Sequence, residues 1–353
     1  MSMEVQIKKR LSSFELDVEF ETSGERLGIL GASGAGKSMT LKCIAGIENP
    51  DSGRIVLGGR VLFDSRRKIN LTPQERSVGY LFQDYALFPN MTVARNIASA
   101  IRLPRRQRYA RVTQFIEFFH LHQLDNRYPC EISGGERQRV ALARVLASEP
   151  IALMLDEPFS ALDTYLREQL QLQMQRGLKN YGGDVLLVTH GLDEVYRFCE
   201  RVLVLDRGTV VSFGSPKDVF ENPGSLTTAK VSGCYNISRA KMTGQYTVMA
   251  LDWGFQLVTR DLVSREVSHV GIRPHGLKPA GQQDTENVLT LEPVEVIHGP
   301  SAITVVLSSR GDGEALDEQC LWWKLTPEEW YRLYRQRAPR RFSVMPEDVM
   351  LLR

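Results

Sequence analysis

Apolar and polar residues alternate loosely across residues 4–20, as in Phe14-Glu-Leu-Asp-Val-Glu-Phe20, and this period of two predicts strands. Arg26 to Leu30 reads as a short buried strand, and Met39 to Ala45 carries the apolar spacing of a helix. Arg54–Leu57 and Arg60–Phe63 flank Gly58-Gly59 as a hairpin, and Val78–Phe82 forms another strand. From 91 to 150 the period lengthens to that of helices, over Met91–Ile101, Val112–Leu124 and Glu136–Ser148, with Pro104, Pro129 and Pro150 as punctuation. Ile151–Leu155 is a continuous apolar run of strand length, as in a central parallel strand. Helix 165–179, strand Asp184–Val188, helix Leu192–Phe198 and strand Arg201–Leu205 follow, and Gly208 turns into Val210-Val211. Strand and helix alternating in this way predict a parallel sheet covered by helices. Beyond about Tyr235 strand-like pieces dominate: Tyr246–Ala250, Gly254–Thr259, Val267–Ile272, Glu292–His298, Ala302–Leu307 and Phe342–Met345, with a turn at Gly311-Asp-Gly313. A linker is expected within 222–234, which contains Asn222-Pro-Gly224 and Ser232-Gly233.

Between the strand at 26–30 and the helix at 39–45 lies Gly31-Ala32-Ser33-Gly34-Ala35-Gly36-Lys37-Ser38, which fits the phosphate-loop pattern at every fixed position. Glycines let backbone N–H groups curl round a phosphate, and the helix N-terminus adds partial positive charge. Lys37 would reach the β- and γ-phosphates of a nucleoside triphosphate, and the Ser38 hydroxyl would hold Mg²⁺, with Met39 opening the helix behind them. The strand 151–155 ends in Asp156-Glu157, at the sheet edge where ligands gather in open α/β folds. Asp156 would position Mg²⁺ and Glu157 would polarise an attacking water. A second turn opening a helix, Ser133-Gly134-Gly135-Glu136, is another ready-made anion site. One nucleotide has no need of two such loops from one chain. The economical reading is that this turn grips the γ-phosphate of a nucleotide held by a partner copy.

Composition narrows the setting. The chain has 353 residues, 42% hydrophobic and 24% charged, which suits two or three globular domains. Lys+Arg 44 against Asp+Glu 42 leaves no global field, so no nucleic-acid partner is expected. No apolar run reaches the roughly 20 residues that span a bilayer, and Met1–Arg10 lacks a signal-peptide core, so a cytoplasmic location is expected. Five cysteines without a C-x-x-C pair imply neither a zinc site nor a disulfide framework. The basic runs Arg102–Arg108 and 332–341 read as solvated faces.

Together these motifs resemble the ATP-binding cassette family. Ser133-Gly-Gly-Glu136 resembles its signature motif, with Ile132 in place of the usual Leu and Glu136 in place of the usual Gln. Gln83, before Asp84-Tyr-Ala-Leu-Phe-Pro89, resembles the Q-loop; Ser160-Ala-Leu-Asp163 resembles the D-loop; His190, after Val185–Thr189, resembles the switch histidine. The resemblance implies an α/β P-loop NTPase cassette (1–230) with an antiparallel β subdomain and an inserted helical subdomain at about 88–150. A β-rich, OB-like (TOBE-type) regulatory domain (235–353) would follow. It implies an ATPase whose two copies sandwich two ATP molecules head to tail. Gln83 would sense the Mg²⁺ or the water, His190 would hold the γ-phosphate and orient Glu157, and Asp163 would cross the dimer interface. The adenine would stack on Phe14 or Phe20; Phe14 is the choice made here, with core packing as its alternative.

The tail resembles that of importer ATPases for inorganic anions, sugars and polyamines. Gly233–Arg239, Leu251–Gly254, Val270–Pro274 and the compact start Val5–Val18 look most like the molybdate cassettes. Sulfate is the main alternative, and tungstate is not separable from molybdate on chemical grounds. The resemblance implies separate integral-membrane permease subunits, docking near Asp84–Arg95, and an extracytoplasmic oxyanion-binding protein. The location is then peripheral, on the cytoplasmic face of the inner membrane. An ABC protein acting on DNA or ribosomes would carry a second cassette or a long coiled coil, and the sequence has neither. An exporter is disfavoured by the β-rich tail.

Overall fold

The computed structural model describes residues 2–160, 162–178, 181–309, 320–334 and 339–353. The expected turn at 311–313 lies outside them, as do Ala161 of the Ser160–Asp163 stretch and part of the basic run 332–341. The chain divides into two compact units, Met1–Lys217 and Asp218–Arg353.

The first unit runs β1 (Met3–Arg10), β2 (Glu15–Thr22), β3 (Arg26–Gly31), α1 (Lys37–Ala45), β4 (Ser52–Leu57), β5 (Arg60–Asp64), β6 (Ile69–Asn70), α2 (Pro73–Arg76) and β7 (Val78–Leu81). It continues with α3 (Val93–Ala98), α4 (Arg105–Phe118), α5 (Gly134–Ala147), β8 (Ala152–Asp156), α6 (Thr164–Leu178), β9 (Val185–Val188), α7 (Leu192–Phe198), β10 (Arg201–Asp206) and β11 (Thr209–Gly214). The strands form one sheet, in the order β6-β5-β4-β1-β2-β11-β10-β3-β9-β8-β7. Neighbours from β6 to β2 pair antiparallel. From β10 to β7 every pair is parallel. The two regions differ in sequence as their burial demands. In β1, Met3, Val5 and Ile7 are buried between exposed polar residues, whereas β8 and β9 are buried at every position. One continuous core runs beneath both, from Val5 and Val18 through Ile29 and Ile44 to Met154 and Val188.

The helical insertion departs from its sequence reading at the ends of its helices. α3 covers only Val93–Ala98, because the Thr92 side chain caps it by accepting the Arg95 N–H at 3.4 Å. α4 begins at Arg105 and stops at Phe118, since His120 and Gln123 adopt left-handed backbone, at φ 51° and 67°. Its first two turns are polar and exposed, so apolar spacing alone misses them. The Arg102–Arg108 run lies in this exposed stretch, a solvated face as expected.

The second unit holds α8 (Pro216–Glu221), across whose first turn the division falls, then α9 (Leu226–Val231) and β12 (Asn236–Gly244). β13 (Thr247–Ala250), β14 (Phe255–Val258), β15 (His269–Ile272), β16 (Lys278–Pro279), β17 (Val288–Thr290), β18 (Glu292–His298) and β19 (Ile303–Ser308) follow. Last come β20 (Cys320–Leu325), α10 (Pro327–Tyr334), β21 (Arg341–Ser343) and β22 (Val349–Leu352). The sheets are β14-β13-β12-β15-β22, β16-β21-β17 and β18-β19-β20. A core containing Trp253, Leu321, Trp323 and Phe342 joins them. The stretch read as a linker carries α9, capped by Ser225 and packed through Ala229 near Cys234 and Leu352. The motifs that suggested a cargo act as fasteners. Asp252 accepts the Arg239 guanidinium at 2.6 Å and its backbone N–H at 2.7 Å, while Arg273 donates to the Ser232 carbonyl at 2.9 Å.

Arg76 ties the phosphate-loop helix to the sheet margin. It is fully buried, and its guanidinium donates to the Cys43 and Ile44 carbonyls at the end of α1 (2.9 and 2.8 Å), to the Leu71 carbonyl and to Asn70 Oδ1. Truncation would remove the guanidinium from the buried Cys43 and Ile44 carbonyls, of which Cys43 would keep the Gly46 N–H. Arg76→Ala is expected to lower the unfolding free energy by about 3 kcal/mol, measured by urea denaturation. A loss below the size of one surface contact would contradict this reading.

Candidate nucleotide site

The site is assembled by strand register. Ile29 of β3 and Asp156 of β8 both lie opposite Val188 of β9, so these strands end at one sheet edge. Leu81 of β7 lies opposite Leu155, which brings the residues after it beside Asp156. From this edge emerge the glycine loop, Asp156-Glu157, Thr189-His190 and Gln83.

The glycine loop is tightly constrained. Gly31 has φ 151°, and a Cβ there would collide with the Leu205 carbonyl. Gly36 has φ 103°, and a Cβ there would lie 2.7 Å from Leu16. Ala32, Ser33 and Gly34 are exposed at the mouth of the loop, Ala35 is buried, and Met39 packs against the main core. The Lys37 ammonium donates to the Gly31 and Ala32 carbonyls at 2.8 and 2.9 Å. Burial pulls Lys37 below its usual range, against the opposing pull of Glu157 and Asp156. The Ser38 hydroxyl donates to Asp156 Oδ1 at 2.9 Å, and the Tyr80 hydroxyl donates to Asp156 Oδ2 at 3.1 Å. Burial first, then the Asp156 charge, push Tyr80 well above its usual range.

Ser38, Asp156, Gln83 and Tyr80 line a cavity of about 400 Å³ together with Lys42, Phe82 and Asp84. Hydroxyl, carboxylate and amide oxygens are the hard donors that Mg²⁺ prefers. The pocket supplies the carboxylates of Asp156 and Asp84 with a hydroxyl and an amide, too few ligands to complete a Mg²⁺ shell, which fits a cation that enters with phosphate and water. Next to Asp156, Glu157 has left-handed backbone at φ 50°, and its Oε1 lies 3.0 Å from His190 Nε2. The three residues expected to bind metal therefore share one cavity, and two of the expected catalytic residues touch each other.

Other expected site residues lie elsewhere. Ser133 caps α5 in a reciprocal box: its N–H and Oγ–H donate to the Glu136 carboxylate at 2.7 and 2.8 Å, and its Oγ accepts the Glu136 N–H at 3.3 Å. The Ser133 N–H holds the Glu136 carboxyl below its usual range. Asp163 accepts the Leu166 N–H at the start of α6. None of residues 133–136 or 163 lines the cavity at Ser38. Phe14 is half-buried, with its ring edge 3.6 Å from a Cβ built on Gly36, whereas Phe20 is buried in the core.

Two groups were not singled out from sequence. One is Tyr80. The other is Glu194, whose carboxylate accepts the Thr189 hydroxyl, which in turn accepts the Gly191 N–H at 3.0 Å and so braces the His190 turn. Neither carries a motif, since each is defined by a contact across the fold. The loop after Gln83 is pinned from below. Buried Asn96 accepts the Phe88 N–H at 2.9 Å and donates to the Phe88, Met91 and Thr92 carbonyls. Arg144 donates to the Tyr85 carbonyl at 3.0 Å and lies over the Phe88 ring.

A phosphate loop at the end of a central parallel strand, with an acidic strand end beside it, defines a P-loop nucleotide-binding protein. The sequence profile described as ABC transporter matches residues 15–160. A sulfate/thiosulfate import ATP-binding protein of Thermosynechococcus vestitus is 37% identical over 76% of this chain and 79% of its own. A glucose import ATP-binding protein of Saccharolobus solfataricus is 35% identical over 76% of this chain and 74% of its own. Relatives named for spermidine/putrescine and for Fe(3+) import are each 38% identical over shorter spans. Among solved structures, a dimeric ATP-binding cassette in a post-hydrolysis state with ADP and Pi superposes with a TM-score of 0.54 and 26% identity, over 61% of this chain and 99% of its own. The chain belongs to the ATP-binding cassette family, among the cassettes of import systems, and is an ATPase. Among the described residues no helix is long and apolar enough to cross a membrane.

Burial raises the Glu194 carboxyl above its usual 4.5, with Thr189, Arg167 and Gln171 partly opposing and Asp193 reinforcing. A raised folded value means the native state holds this proton more tightly than the unfolded chain. Stability is then lost as pH rises from the usual carboxylate range through the raised value, and stays lost above it. Glu194→Gln, which keeps an acceptor for Thr189, is expected to be more stable than the parent at pH 8 and equal to it near pH 4. Urea midpoints across that range test this, and an equal gain at every pH would contradict it.

Proposed function

We propose that this chain is the ATP-hydrolysing subunit of an importer, working as a head-to-tail dimer against separate membrane permease subunits and powering uptake of an inorganic oxyanion. The observation that carries the dimer reading is the separation of the two anion-binding turns. The Ser133–Glu136 turn opens a helix, as phosphate sites do, with Ser133 exposed, yet it is absent from the lining of the Ser38 cavity of its own chain. A second copy would bring it over the γ-phosphate held by Lys37 and the glycine loop. The dimeric state of the solved cassette with ADP and Pi supports this arrangement.

In this reading the loop amides and Lys37 bind the triphosphate, with Phe14 against the adenine. Ser38, Asp156 and Gln83 would hold Mg²⁺, which when bound supplies charge neutralisation to the phosphates. Glu157 accepts a proton as the water oxygen bonds to the γ-phosphorus and the bond to the ADP oxygen breaks. His190, in contact with Glu157, orients that carboxylate and reaches the γ-phosphate. Product phosphate leaves the Ser133 turn without its ligand, and the dimer opens. Asp163 lies at the partner surface, and the loop Asp84–Arg95, with Phe88 exposed and its backbone held by Asn96 and Arg144, is the surface offered to the permease.

For the cargo, the sulfate/thiosulfate relatives support the oxyanion class, whereas the tail motifs carry the narrower molybdate reading. Relatives named for polyamine, iron and glucose import share the cassette at similar identity. The cargo is therefore selected by the permease and the extracytoplasmic binding protein. Uptake of labelled molybdate and sulfate by the reconstituted complex tests this reading; transport of neither anion, with transport of a sugar or polyamine, would overturn it.

Two substitutions test the mechanism. Glu157→Gln is expected to bind ATP and accumulate as an ATP-bound dimer, with turnover reduced at least about a hundredfold, read by phosphate release and size-exclusion chromatography. Ser133→Arg is expected to abolish turnover while nucleotide binding to the monomer stays within about threefold of the parent, because one hydrogen bond at most is involved. Loss of both functions together would overturn the shared-site reading.

A further inference from the structure

We propose that Tyr80 is a positioning residue of the metal–nucleotide pocket, whose hydroxyl holds the Asp156 carboxylate in the orientation that a nucleotide-borne divalent cation meets. The inference rests on the reading of Ser38, Asp156 and Gln83 as the metal-facing set. Asp156 lies at the buried end of β8 and has both oxygens engaged, Oδ1 by Ser38 and Oδ2 by Tyr80. The two partners differ in what they can do next. Ser38 is a rotatable hydroxyl on the phosphate-loop helix and can turn its oxygen from the carboxylate to a cation. Tyr80 is held on β7, paired in register with β8 at Met154, with its ring 4.6 Å from that of Phe82. Its hydroxyl therefore stays on Oδ2 and leaves Oδ1 facing the cavity.

A tyrosine hydroxyl is a neutral donor, so it holds the carboxylate without adding charge beside it. The same strand ends in Leu81, and Gln83 follows by two residues and lines the same cavity. The Tyr80–Asp156 bond accordingly clasps the strand leading to Gln83 to the strand bearing the metal carboxylate. Outer partners of metal ligands act in this way, by fixing the plane and basicity of the ligand.

The test uses the full chain, the non-hydrolysable analogue AMP-PNP, and Mn²⁺ as a paramagnetic probe. In Tyr80→Phe, which keeps the ring and its packing, the Mn²⁺ affinity measured by electron paramagnetic resonance with nucleotide present is expected to fall about five- to tenfold. Nucleotide affinity in EDTA is expected to remain at the parental value. Tyr80→Met, apolar and without a hydroxyl, must shift Mn²⁺ affinity in the same direction. Unchanged Mn²⁺ affinity in either variant would overturn the proposal, as would an equal loss of nucleotide affinity in EDTA, which would mark Tyr80 as packing only. Absence of nucleotide-dependent Mn²⁺ binding in the parent protein would overturn the metal-facing reading itself, and Tyr80's role with it.

Discussion

The hydrogen bond from Ser38 to Asp156 joins residues 118 positions apart, and the organisation of the cassette can be followed outward from it. It forms only because β3, β9 and β8 are parallel and end in register. Parallel pairing in turn requires crossover helices and burial on both faces. That is why β8 and β9 are buried at every position and apolar throughout except at Asp156, the last residue of β8. The carboxylates, the His190 turn and the phosphate loop meet at the edge where these parallel strands end.

Around this edge the constraints differ in kind. The glycine loop is held by geometry, since side chains at Gly31 or Gly36 would meet the Leu205 carbonyl or Leu16. The Asp84–Arg95 loop is held by hydrogen bonds, with the Asn96 amide serving as a staple inside its curve. The Phe88 ring stays exposed while its backbone is fixed. At the Ser133 turn the capping box engages the Ser133 N–H and hydroxyl with the Glu136 carboxylate, which satisfies the helix start locally.

The second unit follows a different logic. Its strands are short and antiparallel, and Trp253, Trp323 and Phe342 supply the bulk of a core that longer strands would otherwise provide. The sequence motifs that distinguish it, exposed Arg239 with Asp252 and half-buried Arg273 with Ser232, are fastenings between its elements. A resemblance carried by such residues is a resemblance of folding, which is why it speaks less directly about cargo than the phosphate loop speaks about ATP.

The cassette was legible where function and local chain geometry coincide. Gly31–Ser38, Asp156-Glu157 and Ser133–Glu136 each combine a proposed chemical role with a turn or strand end, so the sequence alone singles them out as candidates. Periodicity also located most strands and helices, but it misplaced the ends of α3 and α4 and missed α2, α8, α9, α10, β6, β12, β16, β17, β20 and β22. In those segments, polar first turns, caps at Thr92 and Ser225, and burial against distant strands set the structure. Tertiary structure alone decided that Tyr80 reaches Asp156, that Glu194 braces the His190 turn, and that Arg76 closes the end of α1. The reason is physical. A motif is a property of neighbours in the chain, whereas these contacts depend on which strands pair and in what register. The sequence thus determined that the protein binds and hydrolyses ATP, and the folded sheet decided which side chains hold the machinery in place.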